Sequence, residues 1–395
     1  RQGEPNGTAA AAQAGLAQLN AGESALVVDG DVWFDPADLI RLLAAHTAAN
    51  AAPAAHVDSD ENIATVLLAP LGDERPQDWL CAELEGNLVR GFLGHPRGGR
   101  HRYAGLALLE PAAHELLAHN PGIGLQVPVG GMPHLEQELL QSLQFALERG
   151  RYIQGVVTQG DLVDLDKPWH LLEANHRALA RLSRSLVADQ IAPGAQVAPD
   201  AEIQGHAVLA PGARIGSRVV VRGNVWLGEG AELTNGAILD GDVMIGAHSR
   251  VSDYCFVSGG SVVGPRCRVL HGAEFSGVLL ENVYLYHYME ISGIMGRNCD
   301  LGAATVCGTL RFDDDRTRHQ VGGRRETPLV GADCAYLGDF CRTGVGAILL
   351  PGAKVGPYSL IGPGVVVRGD VPGRQAVFVK QELETKPWGP ERYGW

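Results

Sequence analysis

From Ile191 to Phe275 an aliphatic or aromatic residue returns at every sixth position, fifteen times without a miss. The series is Ile191, Val197, Ile203, Leu209, Ile215, Val221, Leu227, Leu233, Leu239, Ile245, Val251, Val257, Val263, Val269 and Phe275. Ordinary strands alternate with period two and do not hold a period of six. A strictly kept period of six reads instead as a parallel β-helix of hexapeptide repeats. Each step is one short strand and one corner, and three steps make one coil. The sixth-position residue is expected to point into the prism and to stack on its equivalent one coil away. Gly, Asn, Asp and Pro fill the corners, as in IAPGAQ VAPDAE and VRGNVW LGEGAE. Gly and Asn take the φ > 0 geometry of a tight corner. Ala195, Ala201, Ala213 and Ala231, four places after the aliphatic, leave room for the turn.

The chain of 395 residues is long enough for two or three domains. Its formal charge of -13 argues against a nucleic-acid-binding surface, and no basic run contradicts this. Seven cysteines lack metal-ligand spacing and fit reduced thiols in the cytoplasm better than a disulfide framework. No apolar run reaches about 18 residues, so no membrane span is expected. No signal peptide is seen, and the sequence opens at Arg1 without an initiator Met.

Residues 1–166 have a different texture. Ala25–Val28 reads as a short buried strand running into Asp29-Gly30-Asp31. A helix follows, with Leu39, Ile40, Leu42 and Leu43 placed on one face, and then an apolar strand from Ile63 to Leu68. That order predicts a parallel α/β unit with both faces covered. Ligands in such sheets bind at the carboxyl ends of strands, where Asp29 and Asp31 sit. CAELEGNLVRGFL predicts a hairpin turning at Glu85-Gly86-Asn87, and Tyr103–Leu109 a further strand. Lys167–Gln190 predicts a connecting helix that packs one domain on the other, with Trp169, Leu171, Leu172, Leu179, Leu182 and Leu186 at helical spacing.

Gln2-x-x-x-x-Gly7-Thr8, LVVDGDVWF, YAGLALL and VDLDKPWHLLEAN occur in the order of the sugar-1-phosphate nucleotidyltransferases, which this region resembles. The resemblance implies that Gln2, Gly7 and Thr8 contact the nucleotide base and that Gly105 lies against the sugar. It implies that Asp31 holds Mg²⁺ between the phosphates and that Asp164 completes the metal site. A carboxylate pair suits Mg²⁺, which keeps water and phosphate as its other ligands. The family's Gly-rich loop with its Arg would lie upstream of Arg1, so nucleotidyl transfer by the chain as given is expected to be impaired. Asp166 stands where the family usually has Gly. Two plainer readings stay open: a strand-end turn for Asp29-Gly30-Asp31, and a helix N-cap for Asp164 or Asp166.

The six-residue register is lost after Phe275 and resumes at Leu337, Thr343, Leu349, Val355, Ile361 and Val367, with Val330-Gly331 a candidate coil strand ahead of it. Breaks in a solenoid are where loops leave the prism, and such loops line binding faces. Within the break lie LLENVYLYHYMEISGIMG, NCDLGAATVCGTLRFDDD and a polar loop ending in Gly322-Gly323-Arg324-Arg325. These segments resemble the C-terminal half of bifunctional nucleotidyltransferase/amino-sugar acetyltransferases, N-acetylglucosamine-1-phosphate uridyltransferase-like and closest to the archaeal type. The resemblance makes His287 the general base that takes a proton from the sugar amine as it attacks acetyl-CoA, a task that suits an imidazole. The family's Tyr three residues after the His is Glu290 here, so Tyr288 or Tyr286 takes its place. Arg324 and Arg325 would grip a phosphate of the sugar or of CoA. Thr309 replaces an Asn before LRFD, and Arg316 and Arg318 stand where the family has Lys. Gly30, Thr309 and Arg342 complete the candidate cofactor-binding set. A satisfied histidine at a subunit interface, and a solvated loop for the Arg pair, are the plainer alternatives.

The expected fold class is therefore α/β plus all-β. A partial nucleotidyltransferase (Rossmann-like) domain over 1–166 and a connecting helix over 167–190 lead into a β-helix over 191–371. Its inserted loop falls at about 276–330, and a tail follows at 372–395. The resemblance makes the β-helix left-handed and the assembly a homotrimer. It implies a cytoplasmic transferase of nucleotide-sugar biosynthesis that uses a nucleoside triphosphate, a sugar 1-phosphate and acetyl-CoA, with Mg²⁺. The alternative is a nucleotidyltransferase whose β-helix is a non-catalytic oligomerisation platform.

Overall fold

The computed structural model describes residues 6–20, 22–51, 62–93, 99–120, 123–124 and 135–393. The chain divides into two compact units, Arg1–Asp166 and Lys167–Trp395.

The first unit is built on a mixed sheet. Its elements are α1 (Thr8–Leu16), β1 (Ala25–Val28), β2 (Val32–Phe34), α2 (Pro36–Ala51), β3 (Asn62–Pro70), β4 (Cys81–Glu85), β5 (Leu88–Leu93) and β6 (His101–Leu109). There follow α3 (Pro111–Leu117), the short pair β7 (Ile123–Gly124) and β8 (Leu135–Glu136), α4 (Leu139–Glu148), β9 (Tyr152–Val157) and β10 (Leu162–Asp164). The sheet order is β1-β6-β3-β9-β5-β4. The unit is α/β, but not the purely parallel sheet that strand, helix and strand suggested. β6 inserts antiparallel between β1 and β3, and only β3 and β9 pair in parallel. β3 has neighbours on both edges and layers on both faces, which is why it is buried from Asn62 to Ala69 and apolar alternation is lost. The hairpin of β4 and β5 forms as expected, with Gly86 at φ 61. On α2, Leu42 is buried, whereas Ile40 and Leu43 face outward.

Behind this sheet lies a buried polar chain that the sequence did not announce. His46 Nδ1 is 2.9 Å from Thr65 Oγ1, and its Nε2 is 2.7 Å from Glu110 Oε1. Asn50 and Ser24 also donate to Glu110. The spacing mimics a catalytic triad, but Thr65 is fully buried in the central sheet and no substrate reaches it. Its role is to satisfy polar groups, so His46→Ala is expected to destabilise the fold by about 1–3 kcal/mol, because Thr65 and Glu110 lose their shared partner. The midpoint of urea denaturation checks this, and an unchanged midpoint would contradict it.

In the second unit, the strand at each six-residue step pairs in parallel with the strand three steps later, as in Ile191↔Leu209, Leu209↔Leu227 and Leu227↔Ile245. Three steps therefore make one coil. The sixth-position residues from Leu209 onward form a continuous buried core. In the first coil, Ile191 (46%) and Val197 (42%) stay exposed because coil residues stack on them from one side only. Ala213 and Ala231 are fully buried at the inner corners, as the repeat required.

The register after Phe275 corrects the expected loop at about 276–330. The coil does not leave the prism there; it is shortened. Phe275 is followed inward by Leu279, Leu285, Ile291, Met295, Leu301 and Cys307, all buried. Leu279 follows Phe275 at four positions instead of six, and Met295 follows Ile291 in the same way. The parallel partners are Val263↔Leu279, Val269↔Leu285 and Phe275↔Ile291, so each coil here is two positions short of the regular repeat. At the shortened corners the strands Glu274–Leu279 and Glu290–Met295 run straight through Gly277 and Gly293 at φ 128 and 131. The excursion that leaves the prism is shorter, residues 308–334. Met295 pairs directly with Leu337, so this excursion is carried as an extra loop on a single coil. Within it His319–Val321 and Arg324–Glu326 form an antiparallel hairpin turned by Gly322 and Gly323. Val330-Gly331 is not a coil strand; Gly331 turns at φ 72 and its carbonyl accepts the Tyr336 hydroxyl at 2.6 Å. The last coil extends past 371, since Ala376–Val377 still pairs with Leu360–Ile361.

The helix expected over 167–190 is α5, Pro168–Ser185; the chain must extend by Gln190 to enter the first coil. Trp169 and Leu172 pack on the outward side chains Val278, Ile294 and Tyr336 of successive coils. Further along, Ser183 accepts from Asn224 at 2.6 Å, so the helix lies along the β-helix. All seven cysteines are unpaired and six are buried. Among the described residues no helix is long and apolar enough to cross a membrane.

Candidate functional site

In the first unit the β2–β10 ribbon sets the geometry. Its register pairs Val32 with Asp164, and the Leu165 amide donates to the Asp31 carbonyl at 2.7 Å. Asp31 and Asp164 are thereby brought side by side, although most of the unit's sequence separates them. Asp166, two residues on, joins them: one carboxylate oxygen from each of the three lies within 4.8 Å of the others. The N-cap of α5 is Lys167, so neither Asp164 nor Asp166 is that helix's N-cap.

The three carboxylates border a cavity of about 850 Å³. Its wall also holds Thr8, Gly30 and Gly105, with Trp79, Arg102 and Tyr103 opposite in type: an aromatic face and a cation. Arg102 lies 4.0 Å over the Trp79 ring and 2.6 Å from Glu74. Gly105 has φ +78, and a Cβ there would meet Val32 Cγ2 at 2.7 Å, so the β6 backbone can pass under the Asp29–Val32 turn only as glycine. Burial, and then the charges of Asp31 and Glu138, push the Asp29 carboxyl up to about 6. Burial and Asp29 together raise the Tyr103 phenol well above its ordinary value. Negative charge is thus crowded at one end of this cavity.

Gly7 and Thr8 have local tasks as well. Gly7, at φ 90, packs against the Gln137 backbone. Thr8 Oγ1 donates to Glu138 and accepts the Leu139 amide, both at 2.8 Å, at the start of α4. Gln2 lies outside the described residues.

In the second unit, His287 and Tyr288 form a corner of the β-helix in the left-handed region, both at φ 57. Both are exposed, Tyr288 by 80%. His287 Nδ1 lies 3.1 Å from Nδ1 of His271, one coil earlier. Arg324 and Arg325 sit on the hairpin instead. Arg324 approaches Glu326 at 3.3 Å, and Glu326 is 3.4 Å from Lys167. Arg325 lines a cleft of about 260 Å³ with Arg311, Arg316, Arg318 and Asp315. Thr309 is exposed where the chain leaves the prism. Arg342 borders a separate groove of about 360 Å³ with Asp300, Leu360 and Phe378. Within one chain, then, the acetyl-transfer candidates occupy a corner, a hairpin and a face.

Two groups escaped the sequence reading. Asp166 could have been found from its two-residue spacing to Asp164 along an extended segment. His271 could have been found from the match of EFSGVLLENVYLYHYM to EISGIMGRNCDLGAAT directly after it, which puts one coil, not a loop, after Phe275.

A carboxylate-bearing α/β unit followed by a hexapeptide-repeat β-helix is the class that fold and site define. Curated relatives of the chain are bifunctional transferases. The chain is similar to the bifunctional protein GlmU of Methanococcus maripaludis strain C7, 32% identical over 117 residues, which cover 29% of this chain and 28% of that protein. It is also similar to a bifunctional sugar-1-phosphate nucleotidylyltransferase/acetyltransferase of Sulfurisphaera tokodaii, 33% identical over 95 residues, 24% of each chain. The matches thus span about a quarter of these relatives' length. No family model matches the chain. Among solved structures, a UDP-glucose pyrophosphorylase from Acinetobacter baumannii aligns with 46% of this chain and 59% of its own, at 15% identity and a TM-score of 0.36.

Proposed function

We propose that the chain is a transferase of nucleotide-sugar biosynthesis. Its first unit would bind a nucleoside triphosphate and a sugar 1-phosphate, and its second would transfer acetyl from acetyl-CoA to the nitrogen of an amino-sugar phosphate. The observation that carries the first half is the convergence of Asp31, Asp164 and Asp166 at the wall of the large cavity. Three carboxylates this close suit a small hard cation that keeps waters and phosphate oxygens as its other ligands. Mg²⁺ there would neutralise phosphate charge. The sugar phosphate oxygen is itself the nucleophile, so the protein supplies positioning, and no covalent intermediate is needed. Trp79, held against Arg102, offers an aromatic surface to a base.

For the second half, His287 supplies a nitrogen that accepts the amine proton while the amine attacks the thioester carbonyl and CoA departs as the thiol. The arginines around Arg325 would hold phosphate. A homotrimer through the β-helix fits the exposed Tyr254 and Tyr288 on the corner that carries His287 and would bring the hairpin of one copy toward the corner of another. Cytoplasmic location fits the free thiols.

The metal reading is tested with Mn²⁺ as the probe. Electron paramagnetic resonance should show binding by the full chain, and Asp31→Asn should weaken it about tenfold or more. Equal binding by the two would remove the site. One observation favours the platform alternative for the β-helix: Arg324 is engaged within its own hairpin by Glu326. An acetyl-CoA titration of the full chain separates the two, since the platform reading expects no binding.

A further inference from the structure

His287 does not stand alone on its corner. The corner residues of successive coils form a column in which Asn235, Asp253, His271 and His287 follow one another. Asn235 Nδ2 donates to Asp253 Oδ1 at 2.9 Å, and Ser252 Oγ donates to the same oxygen at 2.8 Å. The other oxygen, Oδ2, lies 3.7 Å from His271 Nε2. His271 Nδ1 then lies 3.1 Å from His287 Nδ1, with the two rings tilted by 32° and their centroids 4.6 Å apart. Backbone bonds tie the column together: Gly272 donates to the Asp253 carbonyl and Tyr288 to the His271 carbonyl. The coil between His271 and His287 is one of the shortened ones, with Val269 paired to Leu285. In a coil of regular length, Met289 would stand over His271 instead. The shortened corner at Gly277, between His271 and His287, thus brings the imidazoles together.

Two ring nitrogens at 3.1 Å must share one proton, and its place is set by what the far nitrogens meet. The Asn235 hydrogen bond holds the Asp253 carboxyl below its usual range, so it carries a negative charge beside His271 Nε2. A carboxylate favours a proton on the nitrogen that faces it. His271 then carries its proton on Nε2, leaving Nδ1 as an acceptor. His287 must donate from Nδ1, which leaves its own Nε2 without a proton.

We propose that Asp253 and His271 form a positioning relay that holds His287 as its Nδ1–H tautomer, with the bare Nε2 presented to an incoming amine. The role of that nitrogen as a base rests on the acetyl-transfer reading above; the relay itself does not. An unconstrained neutral imidazole favours the opposite, Nε2–H form, so the tautomer is diagnostic.

The test is a two-bond ¹H–¹⁵N spectrum of the histidine rings in the full chain at about pH 8, where an ordinary histidine is neutral. His287 should show Nδ1–H and a bare Nε2. His271→Gly removes the ring at φ 58 without backbone strain and should return His287 to the Nε2–H form. His271→Asn tolerates the same φ and places a carbonyl oxygen where Nδ1 stood; it should keep His287 as Nδ1–H. In acetyl transfer, His271→Gly should lose about tenfold or more and His271→Asn should recover most of it. An Nε2–H tautomer for His287 in the parent chain, or a tautomer unchanged in His271→Gly, overturns the relay. The expected tautomers in a chain that transfers no acetyl group would leave the relay standing and remove the acetyl-transfer reading instead.

Discussion

Replacing His287 by asparagine is expected to lower acetyl-CoA-dependent acetylation of an amino-sugar phosphate by about 10²-fold or more. Asparagine is the informative substitute for two reasons. His287 sits at φ 57, where Ala would be strained and Asn is tolerated. The Asn amide also occupies the place of Nδ1, so the bond toward His271 can persist while Nε2 is lost. The variant therefore separates proton transfer from corner structure. Its thermal unfolding should match the parent's within about 0.5 kcal/mol, as for an exposed position with its main contact kept. Turnover within threefold of the parent would exclude His287 as the base. A parent with no acetyl-CoA turnover at all would point to the β-helix as a platform, with His287 a corner residue of an interface.

Gly293→Ala is expected to be among the most damaging single substitutions in the β-helix, at about 3 kcal/mol or more. Gly293 has φ 131, a region closed to side chains. A Cβ there would overlap the carbonyl oxygen of Ala335 in the next coil. Gly277 stands in the same relation to Gly293, so the two shortened corners nest on one another through glycine alone. Neither coil can slide away, because Phe275, Ile291, Leu279 and Met295 fix the stacking on either side. Calorimetry of the variant should show a lowered transition for the β-helix. A loss below about 1 kcal/mol would mean that the coil relaxes around a methyl group, and the nesting would not be a constraint.

How much of this could be read from the chain follows from where each constraint acts. The β-helix was legible because its constraint is local and periodic. One inward residue per six fixes strand, corner and coil together, and Leu209 through Phe275 are buried as that period demands. The shortened coils were legible in principle, in the pairing of SGV at 276–278 with SGI at 292–294, but a rigid period of six hides a step of four. The α/β unit was legible as strands and helices and not as a sheet. Nothing local in His101–Leu109 says that it inserts antiparallel between β1 and β3, since that choice depends on which edges other strands leave open. The carboxylates divide the same way. The sequence placed Asp31 at a strand end and Asp164 before a helix. The resemblance paired the two as metal ligands, but the register of β2 against β10 is what sets them side by side and recruits Asp166, because hydrogen bonding between segments so distant in the chain carries no local signal. The column under His287 is a tertiary product of the same kind. Asp253, His271 and His287 lie on three successive coils, and coil length alone decides that they stack. By itself the sequence determined the period, the buried face and the residues able to carry chemistry. The tertiary structure decided which of them meet, because strand register and coil length are set by long-range pairing.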